Sequence, residues 1–249
     1  MKAIYLLLAW LTATPITIWA QQNKVKSLAW EKVEITDRWD DMASPLAVKT
    51  IEAYKAKVDS VMMPPLGLSR IAMSAGRPES TLGNWAADVM VEGSTATGLE
   101  PADMGLINIG GLRNNMPEGI VRAGDIYLIS PFQNKLVILE MSGEDLLQLM
   151  ENIAAVGGEG VSSSVRMVIT RDGKLKKASI NGEEIDKKRT YTVATLDYLA
   201  EGNDKMYALT KAKKRHETDL YTRDIMMESV IRNRVIDSKI ENRIVVEDL

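Results

Sequence analysis

Between Ser44 and Met63, Leu46, Ile51, Tyr54, Val58 and Met62 recur at helical spacing, with Lys49, Glu52, Lys55, Lys57 and Asp59 between them. The pattern predicts a helix with one buried face. Pro45 suits its first position, where a missing N–H removes no intrahelical bond. Met63-Pro64-Pro65-Leu66-Gly67 ends it, because the prolines remove donors and push the preceding residue out of helical dihedrals. A short strand is expected earlier, near Trp30 to Ile35. A second helix is expected from Ser80 or Thr81, carrying Leu82, Trp85, Ala86, Val89 and Met90 inward, with Gly93 past its end.

Met104 to Ile109 reads as a buried strand running directly into Gly110-Gly111, a turn with its backbone open to whatever approaches. Ile126 to Ser130 and Lys135 to Met141 are further apolar strands. Ser142, with Asp145 three positions on, caps a helix through Leu146, Leu149, Met150 and Ile153. Beyond Gly157-Gly158 the period becomes two. Val165 to Thr170 and Leu175 to Ile180 flank Arg171-Asp172-Gly173 as a hairpin, Asn181-Gly182 turns again, and Tyr191 to Thr195 adds a strand. The charged stretch Leu209 to Arg234 is expected to be helical, with Leu220, Ile225, Met226, Val230 and Ile231 on one face. Together the elements predict an α+β fold, or α/β with a mixed sheet and flanking helices.

The chain has 249 residues, 45% of them hydrophobic and 26% charged, which fits one folded domain plus an extension and is too apolar for a disordered chain. Its formal charge of -3 supplies no positive field for nucleic acid, which is not an expected partner. Lys2, the apolar stretch Ile4 to Trp19 and Ala20 form the three regions of a secretory signal peptide. The expected organisation is therefore a leader over 1–20, a strand-and-helix extension over 21–74 and the main domain over 75–249. Export to a periplasmic or extracellular space follows, with no membrane attachment once the leader is cleaved; an uncleaved anchor is the alternative. Cysteine is absent, so neither a disulfide framework nor a lipid-modified cysteine is available.

Catalytic inventories fail. His216 is the sole histidine and lies in the charged run Lys211 to Glu217, so neither a serine triad nor a histidine-rich two-metal cluster can be assembled. No catalytic and no metal-ligating residues are assigned. A binding constellation stands out instead. Asn108-Ile109-Gly110-Gly111-Leu112-Arg113 offers an amide, close-approaching N–H groups and a guanidinium fork, the set an anionic phosphate wants. Phe132, the chain's one phenylalanine, follows in Pro131-Phe132-Gln133-Asn134, where a ring either stacks on a base or packs in the core.

Taken in order, Glu79 to Asp88, the Asn-x-Gly-Gly-x-Arg segment, Pro131 to Asn134, Ser142 to Leu146 and Tyr191 to Asp204 resemble the 5'-nucleotidase C-terminal domain family over roughly residues 75 to 210. The resemblance implies an α/β substrate-binding domain in which two aromatic rings sandwich a nucleobase. On this chain it makes Phe132 and Tyr198 the sandwich and Asp204 the ribose acid. Asn108, Gly110, Gly111 and Arg113 meet the phosphate, with Asn134 nearby and Arg77 as a second phosphate contact. Tyr198 stands where the family has Phe, Asn203-Asp204-Lys205-Met206 departs from its Gly-Gly-Asp-Gly, and Gly160 to Ser164 is shorter and more polar than its counterpart. In the family, a metallophosphoesterase domain holding two metal ions precedes this one. Fewer than eighty residues precede the matched region here, none of them histidine. The expected protein is thus the nucleotide-binding half of a hydrolase, working on a nucleoside monophosphate with a separately encoded metallophosphoesterase, and whether it is itself an enzyme stays open. It needs no cofactor of its own; divalent metals are expected only in that partner. The alternative is a non-catalytic, exported nucleotide-binding or scavenging module.

Overall fold

Proline at position 45 starts the first element where the sequence places it: a helix, α1, over Pro45–Met62. The computed structural model describes residues 44–247 continuously and, before them, residues 27, 29–34, 36 and 38. The leader over 1–20 lies outside the described residues. Residues 30–34 are irregular where a strand is expected, and Ile35 lies outside the described set. The chain divides into two compact units, 1–49 and 50–249; the second carries the sheets and the site. The apolar stripe of α1 departs from expectation, since none of its residues is buried and Ile51, Tyr54 and Val58 are exposed. Helical periodicity identifies an apolar face but carries no information about what covers it.

Three mixed sheets and flanking helices make up the second unit, a mixed α/β architecture. β1 (Pro65–Ser69) pairs antiparallel with β3 (Gly119–Arg122) and parallel with β11 (Val235–Ile236). The five-stranded sheet runs β10 (Lys214–Tyr221), β4 (Lys135–Ser142), β9 (Thr190–Leu196), β2 (Met104–Ile107), β5 (Gly160–Val161). The third runs β12 (Ile244–Glu247), β6 (Val165–Thr170), β7 (Leu175–Ile180), β8 (Glu183–Glu184), with the predicted Asp-Gly hairpin joining β6 to β7.

α2 (Thr81–Thr95) is capped by Ser80, whose hydroxyl accepts the Gly83 N–H at 3.2 Å. Gly93 lies inside this helix rather than beyond it. A Cβ there would come within 2.8 Å of Ile225 on α6 (Thr222–Asn233), so the glycine serves close helix packing rather than termination. α4 (Gly143–Ala155) is capped by Ser142 as the sequence predicts.

Two further expectations are corrected. Residues 123–129 form a helix, α3 (Ala123–Ile129), where an apolar strand is expected, because Asp125 accepts the Arg122 N–H at 2.7 Å and caps the turn. Short apolar runs do not distinguish strand from helix by period. Residues 209–234 do not form one helix. Lys214–Tyr221 is the edge strand β10, paired with β4, and only Thr222–Asn233 is helical. Its charged side chains Lys214, Arg215, Glu217 and Asp219 suit an exposed edge, where they discourage pairing with another chain. Ile225, Met226 and Val230 turn inward as expected, and Ile231 is exposed.

The core is continuous, from Leu82, Val89 and Met90 of α2 through Met104 and Leu106 of β2, Leu136 and Leu139 of β4 and Val193 of β9 to Leu146, Leu149 and Ile153 of α4. Each such side chain contributes about 1.5–3 kcal/mol by leaving water. Behind it Arg243, 3% exposed, is satisfied by the Asp88 and Glu241 carboxylates and by the carbonyls of Asn84 and Val161. Among the described residues no helix is long and apolar enough to cross a membrane.

Candidate functional site

Register brings three strand ends to one edge of the central sheet. β2 and β9 run parallel, Met104 opposite Val193, so their carboxyl ends point the same way. β4 is antiparallel to β9, with Leu136 opposite Leu196, so its beginning lies at that same edge. The segments leaving these ends are Asn108–Arg113, Asp197–Asp204 and Pro131–Asn134. A crevice at the carboxyl ends of neighbouring strands is the usual ligand position in sheets of this kind.

After β2 the chain tightens into a 3-10 turn over Ile109–Gly111, in which the Gly111 N–H donates to the Asn108 carbonyl at 3.0 Å. A Cβ at Gly111 would lie 2.6 Å from Oδ1 of Asn108, so only glycine leaves that amide in place. Gly110 has open space where a Cβ would stand. The Arg113 N–H donates to the carbonyl of Ile129 at 2.9 Å, fixing the turn to the end of α3. Its guanidinium donates to the Gly110 carbonyl at 3.1 Å and sits 5.9 Å from the centre of the Phe132 ring. The main chain at Asn134 is held in turn by the N–H and hydroxyl of Thr222, at 2.9 and 3.1 Å from its carbonyl.

Beyond β9, Tyr198 lies in the short helix α5 (Asp197–Ala200), and its hydroxyl donates to Oδ1 of Asp204 at 3.0 Å. That bond, with burial and the negative charge of Asp204 behind it, raises the tyrosine above its ordinary pKa. Oδ2 of Asp204 accepts from Nδ2 of Asn108 at 2.6 Å. One amide hydrogen of Asn108 remains available for a ligand. Its Oδ1 is buried with no partner, a condition costing about 1–3 kcal/mol and one that in folded proteins asks for an explanation.

Asn108, Gly110, Gly111, Arg113, Phe132, Asn134, Tyr198 and Asp204 line one hollow of about 370 Å³, within the range of small-ligand sites. Phe132 is 47% exposed and Tyr198 40%, so both rings offer a face rather than filling the core. Arg77 is not in this lining. Its Nε donates to the Gly158 carbonyl at 2.7 Å and its terminal nitrogen pairs with Glu159.

Glu159 escaped sequence reasoning. It is 2% exposed, and Oε2 accepts the Ile109 N–H at 2.5 Å, so a buried carboxylate braces the start of the glycine turn from below. Burial pushes its carboxyl above the ordinary value, against the opposing pull of the Ile109 N–H and Arg77. The available signal was its setting, an acid flanked by glycines in Gly157-Gly158-Glu159-Gly160. His216, by contrast, stands on the edge strand with Nε2 3.0 Å from Oε1 of Glu140, outside the hollow.

The hollow presents one cation, one carboxylate, amides and two aromatic faces. Such a set grips a flat, anionic, hydroxylated molecule. With a single carboxylate and no imidazole, it does not fit a two-metal hydrolytic centre, and among the described residues no group of three or more His, Asp or Glu side chains is placed to hold a metal ion.

Comparison with known proteins identifies the family. Residues 58–211, more than half of the chain, match the family described as "5'-nucleotidase, C-terminal domain". The chain is 24% identical to an apyrase of Aedes aegypti over 247 aligned residues, covering 91% of this chain and 43% of the relative. It is 25% identical to a probable 5'-nucleotidase of Treponema pallidum, covering 91% and 39%. Protein UshA of Escherichia coli is 30% identical over 107 residues, 41% of this chain and 19% of that protein. Among solved structures, a 5'-nucleotidase precursor from Thermus thermophilus superposes with a TM-score of 0.72 at 25% identity, covering 81% of this chain and 43% of the other. The chain thus spans less than half the length of each of these relatives.

Proposed function

We propose, from the premise that this chain belongs to the 5'-nucleotidase C-terminal domain family, that the hollow binds a nucleoside monophosphate for a hydrolase of nucleotide catabolism. The base lies between Phe132 and Tyr198. Asp204 accepts the ribose hydroxyls. The phosphate meets the Arg113 guanidinium, the remaining Asn108 amide hydrogen and the backbone at Gly110 and Gly111, with Asn134 at the rim. Arg77 acts at one remove, through Glu159 and the turn. The observation carrying this reading is the convergence of Arg113, Phe132, Tyr198 and Asp204 on one hollow.

Hydrolysis needs an activated water, and the hollow's donors suit binding rather than activation. We assign that step to a separately encoded metallophosphoesterase, which supplies the divalent metals. The leader features Lys2, Ile4 to Trp19 and Ala20 support export of this chain to a periplasmic or extracellular space.

Calorimetry with AMP and adenosine tests the binding. Phosphate release from AMP, measured for a candidate metallophosphoesterase with and without this protein, tests the partnership. A gain in rate supports both. Tight binding with no gain from any candidate leaves a nucleotide-binding or scavenging module, and no binding ends the reading.

A further inference from the structure

The loop that carries Asp204 adopts backbone angles its residues disfavour. Gly202 has φ 82°, but Asp204 (φ 52°) and Lys205 (φ 66°) are also left-handed, a region where side chains crowd the backbone. Such residues persist only where the surroundings hold them. Four hydrogen bonds bind the loop without involving the tyrosine ring's substituent. The Gly202 N–H donates to the Leu199 carbonyl at 2.9 Å, Nδ2 of Asn203 to the Tyr198 carbonyl at 2.8 Å, the Met206 N–H to the Asn203 carbonyl at 3.0 Å, and Nδ2 of Asn108 to Asp204 at 2.6 Å. A further bond comes from the Tyr198 hydroxyl, donating to the other Asp204 oxygen at 3.0 Å.

We propose that the Tyr198 hydroxyl is a positioning and specificity-determining group, which clamps Asp204 in its left-handed conformation and so sets a preference for ligands carrying a vicinal diol. The inference rests on the nucleotide reading of the hollow. A phenyl ring would stack as well but could not make this bond, and the glycines that would relax the loop are absent at 204 and 205. With Asn108 on one oxygen and Tyr198 on the other, the carboxylate is fixed in place. Each oxygen keeps an acceptor position, the pair that two adjacent hydroxyls need. The Asp204 bond also raises the phenol's pKa, so the hydroxyl stays a donor through the neutral range.

The test compares the parent, Tyr198→Phe, and Tyr198→Phe combined with Lys205→Gly. In ligand-free protein, amide hydrogen exchange over 203–206 is expected to quicken about tenfold in Tyr198→Phe, the Met206 N–H above all. It is expected to return toward the parent rate once glycine occupies position 205. By calorimetry, the parent's preference for adenosine over 2',3'-dideoxyadenosine is expected to narrow about five- to tenfold in Tyr198→Phe and to recover in the double variant. Unchanged exchange overturns the clamp. An equal loss for both nucleosides overturns the diol preference, since it marks a stacking or folding defect. If the parent binds neither nucleoside while exchange still quickens in the variant, the clamp stands and both the nucleotide reading and the preference built on it fall.

Discussion

Nδ2 of Asn108 and Oδ2 of Asp204 lie 2.6 Å apart, joining the turn after β2 to the loop after α5 in the lining of the hollow. The bond couples the turn that carries the hollow's guanidinium to the loop that carries its carboxylate. A change at either residue is therefore expected to reach the other, and the Asn108 to Gly111 contact extends that coupling into the glycine turn.

Replacing Arg113 with alanine removes the hollow's one guanidinium. Nucleotide affinity is expected to fall by about 1.5–3 kcal/mol, the scale of a hydrogen bond to a charged group, while adenosine affinity barely changes. Paired calorimetric titrations with AMP and adenosine read this directly.

Phe132→Ala should weaken AMP and adenosine alike, by about 1–3 kcal/mol each, because stacking concerns the base that both share. Losses that differ sharply between the two ligands would place the ring at the phosphate end instead.

Gly111→Ala drives a methyl group to within 2.6 Å of the Asn108 amide oxygen, so the amide must move and its bond to Asp204 must lengthen. Gly110→Ala meets open space. We expect the first to reduce nucleotide affinity about tenfold or more, the scale of one lost charge-assisted bond. Circular dichroism melts should show the two variants folded alike.

Glu159 gives the fold a pH dependence of its own. Its native carboxyl titrates above the ordinary value because of burial, so between the unfolded and native values the folded state holds more proton. Stability from this group is complete below the unfolded value and is lost as pH rises through the raised native one. Glu159→Gln keeps an acceptor for the Ile109 N–H but cannot titrate. Thermal midpoints at pH 5 and pH 8 are therefore expected to differ less in the variant than in the parent.

Arg243 is buried between Asp88 and Glu241. Arg243→Met strips both carboxylates of their partner and leaves the Asn84 and Val161 carbonyls unmet, a loss of about 3 kcal/mol or more. Urea unfolding should show it as a lowered midpoint with an unchanged slope.

Local chemistry was legible in the chain wherever neighbours in sequence decide the outcome. Ser80 and Ser142 name their helix starts because capping acts over three residues. Arg171-Asp172-Gly173 names its hairpin because the turn fixes the register. The order of the motifs placed the chain among the 5'-nucleotidase C-terminal domains and singled out the residues that line the hollow. Three features belonged to the tertiary structure alone. Lys214–Tyr221 is a strand because β4 offers it an edge, which no pattern of charges announces. The stripe on α1 stays uncovered because burial depends on a second surface that the helix does not encode. Arg77 points to Glu159 rather than into the hollow because a buried carboxylate demands a partner, and that demand appears only once Gly157 to Gly160 has folded beneath the Asn108 turn.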